Sequence, residues 1–323
     1  MTRRDHGGGL DAAIAATGGA RGGTRAGWLD LSTGINPVPY PVGDLPAEVW
    51  TALPDSGAQD RLIAAARALW AVPEGAEVIA APGASALIAR MPALSLLPGA
   101  YIPGPTYNEH AAAFRAAGQA VSATDSDAPV HVIVHPNNPD GRLWPAPGPG
   151  RALSVIDESF CDVMPEASHI ARAATPGVVV VKSFGKFWGL AGLRLGFAIA
   201  LPATLRPAHG PSLHDMLGPW AVSGPALVIG ARALADHGWA AQTRARLTAD
   251  AARLDTLMAA RGAQLAGGTP LFRLYAVDDA ARWQERLARG QVWSRVFPYS
   301  TTWLRLGLPH PDRWDQLEAA LWA

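Results

Sequence analysis

Residues 182–197 read KSFGKFWGLAGLRLGF, and the way this stretch leaves its strand decides the fold. Four valines at 178–181 run into it, the pattern of a strand buried on both faces. Ser183, Gly185 and Gly189 surround Lys186, and Arg194 follows. Small neighbours let a planar ligand come close to the backbone. The chain holds 27 lysines and arginines, and only Lys182 and Lys186 are lysine. At a buried strand end an unpaired lysine is costly as a cation, and desolvation lowers its pKa. A neutral primary amine can form a Schiff base, which a guanidinium cannot. The plain alternative is a lysine whose stem lies along apolar surface with its amine in water. Lys182, next to Val181 at the strand end, is expected to face solvent.

Outward from this stretch the chain alternates strands and helices. EVIAAPGASALIARMPAL reads as strand, glycine turn and helix, and AYIPGPTYNEHAAAFRAAG repeats the pattern. VHVIVHPNNPDGR, LSVIDESFCDV and LRLGFAIA are further strands. Such alternation predicts an α/β fold with a mainly parallel sheet and helices on both faces. Ligands of such sheets collect at the carboxyl ends of the strands. Asn137, Asn138, Asp157 and Lys186 all fall there. Beyond about residue 218 the pattern shifts to a long amphipathic helix, the short strands LFRLYAV, VWSRVF and WLRLGLP, and a closing helix. The expected division is a large domain over 45–218 and a smaller α+β domain made of 1–44 and 219–323.

The bulk numbers exclude several classes. Formal net charge is +0, which points away from nucleic acid and anionic membrane surfaces. No apolar run approaches the roughly 20 residues of a membrane span. Cys161 is the only cysteine, so no intramolecular disulfide forms and a cytoplasmic location is expected. Phosphate-loop and dinucleotide fingerprints fail: Val180 stands where the first glycine of a phosphate loop would be, and Phe187 follows Lys186. No metal site is expected.

The remaining polar residues each have a chemical and an ordinary reading. Asp157 at the end of LSVID can hold a pyridine nitrogen protonated, or cap a turn. Arg194 can fork onto a phosphate, with Gly83, Ala84, Ser85 and Ser183 completing an anion cradle, or sit on the surface. In PNNP at 136–139 the asparagines offer amides, or make a turn. Tyr107 can back a planar ring, or pack in the core.

Taken in order, these motifs resemble the fold-type I pyridoxal-phosphate (PLP) enzymes of aminotransferase class I/II, from about residue 30 to the end. The resemblance implies that Lys186 carries PLP as a Schiff base, Asp157 pairs the pyridinium nitrogen and Asn138 the 3-oxygen. It also implies that Tyr107 stacks on the ring, while Ala84, Ser85, Ser183 and Arg194 hold the phosphate. At the chain ends, HGGG with LDLSTGINPVPYP, and VWSRVFPYSTTWLRLGLP, are similar to the L-threonine O-3-phosphate decarboxylases of cobalamin biosynthesis, close relatives of histidinol-phosphate aminotransferase. For HGGG alone a flexible terminus is the ordinary reading. This likeness implies that Arg305 binds the substrate carboxylate, and that Arg295, His6 and Asn36 meet its phosphate. It further implies decarboxylation to (R)-1-amino-2-propanol O-2-phosphate, and a homodimer. An aminotransferase acting on histidinol phosphate or a similar phosphorylated amine, and a non-catalytic PLP-binding protein, are the alternatives. Two positions depart from the family: Phe160 and Leu53 stand where relatives often have tyrosine. Phe160 cannot donate to the 3-oxygen, and Leu53 cannot reach a neighbouring subunit's phosphate.

Overall fold

The computed structural model describes residues 6–16, 24–207 and 210–322. Chain contacts divide it into two compact units. One comprises residues 39–138 and 142–241; the other comprises 1–38, 139–141 and 242–323. Among the described residues thirteen strands follow in chain order: β1 (Leu29–Asp30), β2 (Glu77–Ala81), β3 (Ala100–Tyr101), β4 (Val121–Ser122), β5 (Val130–Val134), β6 (Leu153–Asp157), β7 (Val178–Ser183), β8 (Gly196–Ala200), β9 (Gln264–Thr269), β10 (Phe272–Ala276), β11 (Val292–Trp293), β12 (Arg295–Phe297) and β13 (Ser300–Gly307).

The first unit is built on a seven-stranded sheet in the order β2-β8-β7-β6-β5-β3-β4. Neighbours from β7 through β4 run parallel, and β8 is antiparallel to both β2 and β7. It is therefore the mixed, mostly parallel α/β sheet that the alternation predicts. All residues of β6 and β8 are buried, as expected of strands covered on both faces. On one face Val155, Val179, Val181 and Ala198 pack with Leu87, Met91 and Phe114. The other face receives Trp70, whose ring meets Phe197 edge-on at 5.0 Å. The helix Ser56–Trp70 that supplies it buries Leu62, Ala66 and Trp70, one residue per turn along a single stripe. Asp55 starts this helix by accepting from the Ala58 amide, and Ala71 ends it in the left-handed conformation.

The second unit carries a four-stranded antiparallel sheet, β12-β13-β10-β9, and a short parallel pair, β1 with β11. β9 has no counterpart in the sequence-based strands. Ala280–Arg289, capped by Asp279 and anchored by Trp283 and Leu287, lies against β12 and β13, and Trp314–Trp322 packs on that helix and on β11. A short helix spans Leu10–Ala16. No helix among the described residues is long and apolar enough to cross a membrane.

Candidate active site

Register aligns the carboxyl ends of three central strands. Val134 of β5 lies beside Asp157 of β6, which lies beside Val181 of β7. The segments that leave these ends carry Asn138, Ser159 with Phe160, and Ser183 with Lys186. They enclose a cavity of about 590 Å³ including its open mouth, lined also by Ala84, Ser85, Tyr107 and Arg194. All eight positions expected to meet a cofactor thus converge on one cavity.

At its base Asp157 is 1% exposed. Its Oδ2 lies 2.8 Å from Nε2 of His110, and its Oδ1 accepts from the Ser159 amide (2.9 Å) and hydroxyl (2.5 Å). Burial pushes the carboxyl pKa up, but the His110 and Ser159 contacts outweigh it and hold Asp157 below the usual range. The cavity floor is therefore anionic. Sequence reading missed His110 and Ser159. The spacing Tyr107-x-x-His110 was the available signal, since residues three apart on a helix share a face. Their rings meet edge-on at 6.2 Å. Burial, and then the Asp157 charge, push the Tyr107 phenol up to about 12, so it is neutral across the physiological range.

On the opposite side, Gly83 has φ +88°, and a Cβ there would come within 2.6 Å of the Arg194 guanidinium. Glycine is required at Gly196 as well, where a Cβ would collide with the Ala84 amide. These approaches seat the turn 83–85 on the start of β8 beside Arg194. Arg194 itself has φ +54° and donates to Ala191 O at 3.1 Å. The two asparagines separate. Asn137 is buried, accepting from Thr106 Oγ1 and donating to Pro105 O, while Asn138 lines the cavity. Phe160 also lines it, with its ring centre 5.3 Å from Lys186 Nζ. Leu53 is 67% exposed and does not line the cavity.

One expectation is overturned. Lys182 does not face solvent: it is 2% exposed, and Nζ sits 2.7 Å from Glu158 Oε2 and 3.4 Å from Asp162 Oδ1. A sheet covered on both faces leaves no solvent side for a strand residue.

The four residues expected to meet substrate lie in the second unit. Arg305 on β13 is buried, donates from Nη2 to Ser32 O at 2.7 Å, and pairs in register with Arg295 on β12. Arg295 donates from Nη1 to the His6 carbonyl at 2.6 Å. Gly8 donates to Ser32 Oγ at 2.8 Å, so part of the HGGG segment is bonded in place. Asn36 is buried, and its Oδ1 accepts from Arg246 Nη2 (2.7 Å) and the Val38 amide. Arg246 was not foreseen, because it stands 210 residues from its partner.

Residues 49–320 match the family described as aminotransferase class I and II. The chain belongs to that family. It is 40% identical to a threonine-phosphate decarboxylase from Sinorhizobium sp., over 95% of this chain and 93% of that protein. To a threonine-phosphate decarboxylase from Pseudomonas aeruginosa it is 37% identical, over 92% of each chain. Histidinol-phosphate aminotransferase from Sinorhizobium meliloti, solved in complex with pyridoxal-5'-phosphate, shares the fold at TM-score 0.75 and 18% identity, covering 90% of this chain and 89% of that one. PLP is the cofactor of the family, and the cavity fits it. A buried, ionised carboxylate suits a protonated pyridine nitrogen, an amine stands near it, and hydroxyl and guanidinium donors suit a phosphate.

Proposed function

We propose that this protein is a PLP-dependent decarboxylase of L-threonine O-3-phosphate, yielding (R)-1-amino-2-propanol O-2-phosphate for cobalamin biosynthesis. Its full-length relationship to proteins of the same activity supports this, and so does one structural observation. Arg295 and Arg305 stand opposite each other across β12 and β13. Guanidiniums on neighbouring strands present forked donors that suit carboxylate and phosphate oxygens. A substrate carrying both a carboxylate and a phosphate supplies both, whereas histidinol phosphate has no carboxylate.

Bound in the cavity, PLP provides an electron sink for the pair released when a bond at the substrate α-carbon breaks. Asp157 holds a proton on the cofactor ring nitrogen and keeps that sink charged. Asn138 orients the 3-oxygen, and the turn 83–85 with Ser183 and Arg194 takes the cofactor phosphate. Arg305 takes the substrate carboxylate; Arg295, His6 and Asn36 take its phosphate. These contacts set rotation about the N–Cα bond, and so select the carboxylate for loss. The Lys186 amine returns a proton to the α-carbon. Homodimer assembly in the cytoplasm accompanies this function; Trp50, Leu53 and Trp220, at least 60% exposed, give one unit apolar surface to cover.

Incubation with L-threonine O-3-phosphate tests the proposal. Carbon dioxide should form without any keto acid, together with aminopropanol phosphate. Turnover only when 2-oxoglutarate or glutamate is supplied would replace it with an aminotransferase. A visible cofactor band with no turnover of any phosphorylated amino acid would leave a binding protein.

A further inference from the structure

β6 runs out into two consecutive carboxylates, Asp157 and Glu158. Strand alternation sends neighbouring side chains to opposite faces of a sheet. Asp157 turns to His110, and Glu158 turns to Lys182. The Lys182, Glu158 and Asp162 side chains are 2%, 0% and 4% exposed. Each carboxylate has further donors: Ser168 Oγ (2.7 Å) and the His169 amide (2.5 Å) on Glu158, and the indole nitrogens of Trp70 and Trp188 (both 3.0 Å) on Asp162. Burial would lower the Lys182 pKa, yet the two carboxylates outweigh it and hold the amine above the usual lysine value. One cation therefore keeps two buried carboxylates together.

What the cluster joins is informative. Glu158 and Asp162 bracket Ser159 and Phe160, which line the cavity. Lys182 and Trp188 bond the two oxygens of the same Asp162 carboxylate, so both ends of the arch 182–188 are tied to one point. Lys186 lies inside that arch. The Trp188 indole is further fixed by stacking on Phe184 and on Trp239, each at 5.3 Å.

We propose that Lys182 is a positioning residue: through Asp162 and Glu158 it closes the arch that presents Lys186 and sets Phe160 against it. Resting on the function proposed above only in that Lys186 carries the cofactor, this role is independent of which α-carbon bond breaks.

The test compares Lys182→Met and Lys182→Arg with wild type as holoenzymes. Cofactor retention, the pH midpoint of the visible cofactor band, kcat and KM are measured, with circular dichroism and Tm as folding controls. Folded Lys182→Met should hold cofactor less tightly and show a displaced band midpoint. Its kcat should fall about 10- to 100-fold, the scale on which a displaced reacting group costs rate, with KM less affected. Lys182→Arg should recover most of the loss. A lower Tm with unchanged band midpoint, retention and kcat would overturn the proposal. Should Lys182→Met not fold, Asp162→Asn, which weakens the tie while keeping the Lys182–Glu158 pair, decides by the same midpoint: moved supports, unmoved overturns. Absence of threonine-phosphate turnover in wild type would remove that substrate and leave the band test in force. Absence of any wild-type band would overturn both proposals.

Discussion

Lys182 and Lys186 are four residues apart and live in opposite surroundings. Lys186 opens onto a cavity, with the Phe160 ring centre 5.3 Å from its Nζ. Lys182 is sealed beneath the sheet between two carboxylates. The chain uses arginine at every other Lys/Arg position, and exchange for arginine has different consequences at the two sites. At Lys186, proposed to carry the cofactor, the need is chemical, because only a primary amine makes the Schiff base. At Lys182 the need is for a cation within reach of two acids, which a guanidinium meets in large part though less compactly.

The largest effect that could break this contrast lies at Lys186. Lys186→Arg keeps the charge and should abolish the visible cofactor band, and turnover should drop about 10,000-fold, the upper range for losing a positioned proton-transfer group. A retained band would mean that the lysine is misassigned. Lys182→Met comes next, read as stability. Removing one partner from a buried ion pair costs about 3–5 kcal/mol, so urea unfolding should show a loss of that order. His110→Phe probes the other face of β6. Losing a hydrogen bond to a charged group costs about 2 kcal/mol. Asp157 should then ionise at higher pH, and the acidic limb of the kcat profile should move upward.

Acid should distinguish the two faces of β6 from the exposed pairs. Asp157 and Glu158 are both held below their usual values of 3.8 and 4.5; burial opposes this, and His110 and Lys182 respectively are the principal groups that outweigh it. A depressed folded pKa gives stability that is present above the unfolded value and lost as pH falls through the folded one. Unfolding free energy should thus hold from pH 7 to about 5 and decline below about 4. The smallest effect is expected at Arg289, whose pair with Glu285 is about 60% exposed on both sides. Arg289→Ala should change stability by less than about 0.5 kcal/mol, a baseline against which the buried cluster is measured.

Much of the cofactor cavity was legible because its parts are local. A glycine turn, an Asp at a strand end and a Lys after a valine run each declare themselves within a few residues, and the parallel sheet brings strand ends together. Lys182 was not legible in this way. Its orientation follows from strand alternation, but what waits on that face is set partly by Trp70, which meets Asp162 across 92 residues of sequence. The error at Lys182 was avoidable in part: if both faces of a sheet carry helices, a lysine within a strand must be buried and needs a partner. Glu158 stood next to the known Asp157, and its opposite parity was the signal. His110 hid for a different reason, as a helix residue whose importance depends on reaching another strand's end. Arg246, bonded to Asn36 across 210 residues of sequence, had no local signal.

The sealing of Lys182 also changes how the protein presents itself to chemistry from outside. A reagent that marks lysine side chains finds only two in this chain, and one of them is out of reach. The other is the residue assigned to hold the cofactor. Side-chain labelling of the folded protein would therefore count vacant active sites one by one, and a fully loaded preparation would be nearly silent to it.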